Sequence, residues 1–337
     1  MKIERDYDLT ELHTFGVPAR AKFFTEIDSE AGLTELFSLP EFKENKKMFL
    51  GGGSNILFTQ DFDGIVVLNK IKGIEILSET EEAVLIRSMS GVIWHDLVLF
   101  AADRGWWGIE NLSFIPGTVG GALVENLGAY GAELSEVLVA VEAYDISGGT
   151  KKIFQNEECK FSYHNSIFKH ELSGKYFISA ITIGLSKLER KNTKYRAFAE
   201  YSLDKKIELK TSKDISDAVV YIRQTKLPDP RVIGNAGSFF RNVFLSPKKM
   251  KELLVLYPDM PHYEEGGVMK VPAGWLVEQA GWKGKKVGSV GVHDKHALIL
   301  VNLGGATGVK VKSMAFQIKE SVSQKFGLNL EWEVNLI

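Results

Sequence analysis

One hydroxyl sits on a loop that could aim it. In Gly234-Asn235-Ala236-Gly237-Ser238-Phe239-Phe240-Arg241-Asn242, Ser238 follows a glycine that lets the backbone bend sharply, and Pro228 and Pro230 stiffen the approach. Such a serine is placed for chemistry, or is an ordinary turn residue ahead of two core aromatics. Two glycine clusters offer a different chemistry. In Leu50–Phe58 (LGGGSNILF), successive backbone N–H groups could form a nest for a pyrophosphate, or the stretch could be a plain turn. Neither a P-loop nor a strand–GxGxxG–helix unit is present. In Ile115–Glu133, Gly117, Gly120, Gly121, Gly128 and Gly131 alternate with small or apolar residues, a pattern that lets backbone lie flat against a large planar ligand. The lone Cys159 excludes an internal disulfide and any cysteine-built metal or iron–sulfur site, and reads as a small buried thiol. No metal site is expected.

The elements that must position these residues are mixed. At 337 residues the chain is expected to form two or three domains. Its net charge of -2 gives no pull toward nucleic acid or anionic membrane. The charged start and the lack of any long apolar run point to a soluble, cytoplasmic protein without a membrane span. Strands are expected at KMFL, GIVVL, EAVLIRS, VLVAVEAYDI, KYFISAITIGL, HALILVNL and LEWEVNLI. Helices are expected near Glu30–Leu39, across GVIWHDLVLFAADRG with Gly105 as its cap, and in SPKKMKELLVLYP and PAGWLVEQAG. A last helix should start at Thr307 and bury Val311, Met314, Ile318 and Val322 on one face. The order is too irregular for a doubly wound parallel sheet, which leaves an α+β class.

GGGSN, followed downstream by IPGTVGGA and N-x-GAYG, resembles the UDP-N-acetylenolpyruvoylglucosamine reductase family. The likeness continues through TFGV (Thr14–Val17), SYHNSIFK (Ser162–Lys169), TKLPDP (Thr225–Pro230), GNAGSFF, PAGWLVEQAGWKG (Pro272–Gly284), HALILVN and LEWEV (Leu330–Val334), almost the whole chain. It implies a three-domain α+β flavoprotein. FAD would lie between two N-terminal α+β domains of the vanillyl-alcohol-oxidase type, and a third α+β domain would bind substrate. The boundaries expected are 1–70 and 71–223 for the FAD-binding parts, with a tyrosine loop at 191–203, and 224–326 for the substrate domain. The C-terminal strand, 327–337, would return to the first part.

The reaction implied is NADPH-dependent reduction of UDP-N-acetylglucosamine enolpyruvate to UDP-N-acetylmuramate through bound FAD, in peptidoglycan synthesis. Hydride passes from flavin N5 to C3 and a proton reaches C2. The resemblance makes Ser238 the proton donor, a role a positioned hydroxyl can fill toward a carbanion-like enolate. It makes Glu333 of LEWEV the catalytic glutamate. Strand pattern alone does not separate Glu333 from Glu331. FAD contacts carry over to Gly51, Gly52, Gly53, Ser54, Asn55, Pro116, Gly117, Thr118, Gly120, Gly121, Asn126, Gly128, Ala129, Tyr130 and Gly131. Substrate contacts carry over to Tyr163, Tyr195 of the tyrosine loop, Lys226, Asn242, Tyr263, Lys270, Lys283 and His296. A monomer is expected, with the UDP-sugar and NADPH as its small-molecule partners.

The chain departs from the family's usual pattern at several positions. His164 stands where Y-R-x-S-x-F-K has arginine, and an imidazole cannot clamp a carboxylate with two parallel hydrogen bonds. Three readings follow: His164 substitutes as imidazolium, an arginine such as Arg196 fills in, or the protein is slow. FFKNP reads FFRNV here, so Arg241 keeps the charge and Val243 replaces a proline. Leu123 and Glu125 replace proline and glutamine, and an acidic Glu125 near the flavin is unfavourable unless paired or protonated. After Tyr195, Arg196 and Ala197 replace a glycine–acidic pair. A noncatalytic flavin or UDP-sugar binder and an FAD oxidoreductase with another acceptor are the competing readings. Ser238 and Glu333 argue against the first, TKLPDP and PAGWLVEQAGWKG against the second.

Overall fold

The computed structural model describes residues 1–337. The chain divides into two compact units, each assembled from separated stretches. The first comprises Met1–Tyr7, Ala21–Gly52 and Asp63–Thr225; the second comprises Asp8–Arg20, Gly53–Phe62 and Lys226–Ile337. The division runs through GGGSN itself, between Gly52 and Gly53.

The first unit is built on two sheets. One has four strands in the order Glu4–Asp8, Arg20–Ile27, Phe62–Asn69, Lys46–Leu50. The last two pair in parallel, Lys46 opposite Gly64 and Leu50 opposite Leu68. Ile65, Val66 and Val67 are completely buried, which explains why this strand reads as an unbroken apolar run. The other sheet has five strands in the order Lys151–Gln155, Leu138–Asp145, Tyr176–Ser186, Ala83–Met89, Ile74–Glu79, all antiparallel. The helix Trp94–Ala102 buries Trp94, Leu97, Val98 and Ala101 in the core of this unit.

The second unit has three-stranded sheets at Val243–Leu245, Val268–Val271, Tyr263–Glu265 and at Lys286–Val287, Val290–Val292, Leu300–Asn302. Its long helix Gly308–Phe326 begins where expected: Thr307 accepts a hydrogen bond from the Lys310 N–H, and Val311, Met314, Ile318 and Val322 are buried. Gly308 is required here, because a Cβ would fall 1.7 Å from the Phe58 carbonyl oxygen.

Several expectations change. The helix after Gly91 stops at Ala102 with Asp103 as its cap; Gly105 instead takes a left-handed turn beyond it, φ 73°. HALILVNL contributes only Leu300–Asn302 as strand, and LEWEVNLI only Asn335–Leu336, which runs parallel to Ile56–Leu57. The tyrosine loop carries a helix, Arg196–Lys205. A second helix, Ser212–Lys226, occupies a zone read as strand-rich. Its signal was present as a reciprocal cap: Asp214 accepts from the Thr211 N–H, and the Thr211 hydroxyl accepts from the Asp214 N–H.

Candidate active site

In the first unit the glycine motifs form one backbone surface. A Cβ on Gly51 would lie 2.4 Å from Thr118 Oγ1, and one on Gly52 would lie 2.7 Å from the Gly117 Cα. No side chain can separate Gly51–Gly52 from Gly117–Thr118, so their peptides abut. The Gly117 carbonyl accepts from the Trp94 N–H, and the Gly120 N–H donates to the Ser90 carbonyl, which locks the turn to a buried helix and a strand end. Asn126 and Tyr130 adopt left-handed backbone, φ 42° and 51°. Asn126 is buried and held on both sides: Nδ2 donates to Glu133 and to the Ser162 carbonyl, while Oδ1 accepts from the Ser135 N–H. A rigid surface of this kind, with glycine wherever backbone must approach closely, fits the expected FAD.

Behind this surface the Tyr163-His164 pair is presented on a tight turn. Ser162 and Asn165 exchange backbone hydrogen bonds, and His164 at the tip has φ 49°. The tyrosine ring packs edge-on against the imidazole, 4.4 Å between centroids. Lys169 forms a mostly buried ion pair with Glu125 and also donates to the His164 carbonyl at 3.3 Å. Glu125 is therefore paired, the condition the sequence required of it. Ser166 anchors the same segment by donating to the Val124 carbonyl.

The tyrosine loop is bound to the flavin motif by side chains that sequence reasoning did not single out. Asn111, buried, donates to the carbonyls of Tyr130 and Asn192, both at 2.9 Å, and Asn192 donates to the Gly131 carbonyl at 2.8 Å. The Tyr130 ring meets Tyr195 and Phe198. Tyr195 itself is 57% exposed, free to reach a ligand at the surface. Arg223 donates to the Phe114 carbonyl and lies against Tyr130, with burial depressing its own pKa. Arg196 does not fill the missing arginine role. Its side chain is 90% exposed and pairs with Glu200 one turn along its helix.

In the second unit, the Ser238 and Glu333 segments run side by side as extended backbone joined by an isolated bridge between Phe240 and Trp332. Glu333 N–H donates to the Phe239 carbonyl, and Arg241 N–H donates to the Glu331 carbonyl. Phe240 stacks on Trp332 beneath, and Phe239 N–H bonds the Leu298 carbonyl. The bend before Ser238 is fixed by Asn235, whose side chain accepts from the Gly237 N–H, φ 71°. Gly234 is forced by close approach, because a Cβ there would lie 2.3 Å from the Phe15 carbonyl oxygen. The structure also separates the two acidic residues that strand pattern could not: Glu331 is exposed, whereas Glu333 is 14% exposed and lies 3.1 Å from Arg241 Nε. Asn55 donates to the Glu333 carbonyl, and its own carbonyl accepts from the Asn335 N–H, so Asn55 is tied to the segment of the glutamate.

The remaining nucleotide candidates are dispersed over this unit. Asn242 accepts from the Ala273 N–H at the start of the helix Ala273–Gln279. Lys270 pairs with Glu265, and Lys283 with Glu278. Tyr263 and Lys226 are exposed; His296 is half-buried.

Comparison with known proteins agrees across the chain. Residues 229–337 match the family described as the C-terminal domain of UDP-N-acetylenolpyruvoylglucosamine reductase, and residues 21–153 match an FAD-binding domain. A UDP-N-acetylenolpyruvoylglucosamine reductase of Amoebophilus asiaticus is 46% identical over all of both chains, and one of Flavobacterium johnsoniae is 42% identical over all of both. Among solved structures, the UDP-N-acetylenolpyruvylglucosamine reductase of Thermus caldophilus superposes with a TM-score of 0.66 at 22% identity, covering 100% of this chain and 99% of that one. This likeness shows a multi-domain α+β flavoprotein fold.

Proposed function

The chain belongs to the UDP-N-acetylenolpyruvoylglucosamine reductase family, FAD-containing oxidoreductases of peptidoglycan precursor synthesis, and from that premise we propose how its residues divide the work. FAD, when bound, would supply to C3 of the UDP-sugar's enolpyruvyl ether a hydride drawn from NADPH. The protein's own task is at C2. Negative charge that develops there spreads into the adjoining carboxylate, and a proton must be delivered to one face.

Ser238 delivers that proton. The observation that carries this reading is the pairing of the Ser238 segment with the Glu333 segment, which holds a hydroxyl and a carboxylate on adjoining hydrogen-bonded stretches of backbone. The asparagine-fixed bend and the buried phenylalanines leave the serine backbone little freedom, and geometry of that kind is what a weak acid needs to act. Glu333 faces the developing enediolate. Gly51, Gly52 and the residues from Pro116 to Gly131 bind the cofactor, together with Gly53, Ser54 and Asn55. Lys226, Lys270 and Lys283 serve the pyrophosphate as point charges, Tyr263 and Tyr195 donate hydroxyls, and Asn242, His296 and Tyr163 complete the substrate contacts. Lys270 and Lys283 would exchange carboxylate partners for phosphate, which costs little because such partly exposed pairs are weak. His164 takes the family arginine's place at the carboxylate end.

No helix is long and apolar enough to cross a membrane. A cytoplasmic setting follows from the NADPH and nucleotide-sugar substrates.

Anaerobic double mixing tests the assignment. The flavin is first reduced with NADPH, then the enolpyruvyl UDP-sugar is added and reoxidation is followed by absorbance. Ser238→Ala should be reduced at the parent rate and reoxidised slower by roughly 10²–10⁴. Reoxidation of the variant at the parent rate would remove Ser238 from the mechanism.

A further inference from the structure

We propose that Arg241 binds the carboxylate of the substrate through its guanidinium fork and supplies the bidentate cation that position 164 lacks. The proposal rests on the reductase reading above and adds a substrate-contacting residue to it. Arg241 lies three residues beyond Ser238, and its Nε is 3.1 Å from Glu333 Oε2. Both side chains are largely sheltered, 23% and 14% exposed. Their backbones are fixed by the Arg241–Glu331 and Glu333–Phe239 hydrogen bonds, over the stacked rings of Phe240 and Trp332. Arg241 Nε is buried beside the Glu333 carboxylate yet makes no hydrogen bond there, so the guanidinium is held by charge and not by a closed hydrogen-bond pair.

Arg196, the other arginine considered for this role, turns to Glu200 on an exposed face, and Lys169 is held by Glu125 in a mostly buried pair. Arg241 is paired instead with the glutamate assigned to the reaction. A guanidinium is planar, permanently charged and able to serve two carboxylates along different edges. With Nε toward Glu333, the Nη pair can take the substrate carboxylate in two parallel hydrogen bonds. Two carboxylates around one guanidinium repel each other less than two carboxylates alone, which lets Glu333 approach the reacting carbons. As charge moves from C2 into the carboxylate, those hydrogen bonds strengthen, and stabilisation appears where the transition state needs it. The two departures then match: a guanidinium is absent at position 164 and present at position 241.

Binding to the oxidised holoenzyme separates this role from a structural one. Two ligands are titrated calorimetrically: the enolpyruvyl UDP-sugar, and UDP-N-acetylglucosamine, which lacks the carboxylate. Arg241→Met should weaken the first by roughly 10–100-fold and leave the second within about 3-fold, as expected for a lost charge-assisted contact. Arg241→Lys should fall between. In double mixing, Arg241→Met should be reduced by NADPH at the parent rate and reoxidised by substrate slower by about 10²–10³. Equal weakening of both ligands, or an unchanged ratio between them, would overturn the proposal. In a Glu333→Gln background, Arg241→Met should still discriminate between the ligands; loss of that discrimination would show that Arg241 acts only through Glu333. A parent enzyme whose reduced flavin is not reoxidised by substrate would overturn the reductase reading itself, whereas a competent parent with an indifferent Arg241→Met overturns this inference alone.

Discussion

Glu125 carries a negative charge beside the flavin motif, and Lys169 is what makes that tolerable. Both side chains are mostly buried, so removing one leaves a charge with little water to compensate it. Lys169→Met should therefore cost about 2–4 kcal/mol in urea denaturation, and adding Glu125→Gln should recover most of the loss. An additive double variant would mean the two charges are independently solvated and the pair contributes nothing. The acidic residue was visible in the sequence as an anomaly. Its partner was not, because the two lie 44 positions apart and meet only through the fold, where Ser166 anchors the segment to the Val124 carbonyl. Glu333 shows the same limit. Alternation cannot separate it from Glu331, whereas the resemblance picked it out and burial now distinguishes it. Arg241 registered only as a kept charge; its place beside Glu333 is a matter of three-dimensional placement.

Strands and helices were legible in proportion to how much one face alone decides them. The strand Tyr176–Ser186 and the helix Gly308–Phe326 show their periods plainly because each packs a continuous apolar stripe. Ser212–Lys226 has a modest stripe, Ile215, Val219 and Ile222, among many polar residues, and its cap was the clearer sign. What no period reveals is how the five-stranded sheet is pinned at its surface. Arg87 on one strand binds Glu142 on a strand two places away, and Lys151 and Glu30 join them. The Glu142 carboxyl is drawn down from its ordinary 4.5 to about 2, chiefly by its hydrogen bond with Arg87 against an opposing cost of burial. A folded-state pKa below the unfolded one stabilises above the unfolded value, and that gain is lost as pH falls through the folded value. Glu142→Gln should thus cost about 1–2 kcal/mol at pH 7, after allowance for solvent screening. The gap from the parent should close between pH 4.5 and about 2 in denaturation curves taken across that range. A gap that stays constant with pH would assign the effect to packing.

At the scale of the molecule, the second unit is not a contiguous piece of chain. Its core includes Phe15, Val17 and Leu57, all completely buried, although its main stretch starts only at Lys226. Thr14 donates its hydroxyl to the Asn235 carbonyl, Asn302 donates its amide to the Phe15 carbonyl, and Asn335–Leu336 has Ile56–Leu57 as its strand partner. Burying three such side chains is worth roughly 1.5–3 kcal/mol each. That sum is comparable with the whole stability of an ordinary domain, about 5–15 kcal/mol. The stretch matched by the C-terminal family, 229–337, is thus coherent as sequence yet incomplete as a folding unit. An isolated 226–337 fragment should bind a hydrophobic dye and unfold in urea without a cooperative transition, while the full chain melts sharply. A sharp transition in the fragment, with a slope suited to its length, would mean that its own core closes unaided and that the N-terminal segments matter for the bend at Gly234–Ser238 rather than for folding. Ser238→Ala and fragment behaviour would then part company. If the segments are structural, small changes at Phe15 should lower stability and slow reoxidation together, because Gly234 packs against the Phe15 carbonyl on the approach to Ser238.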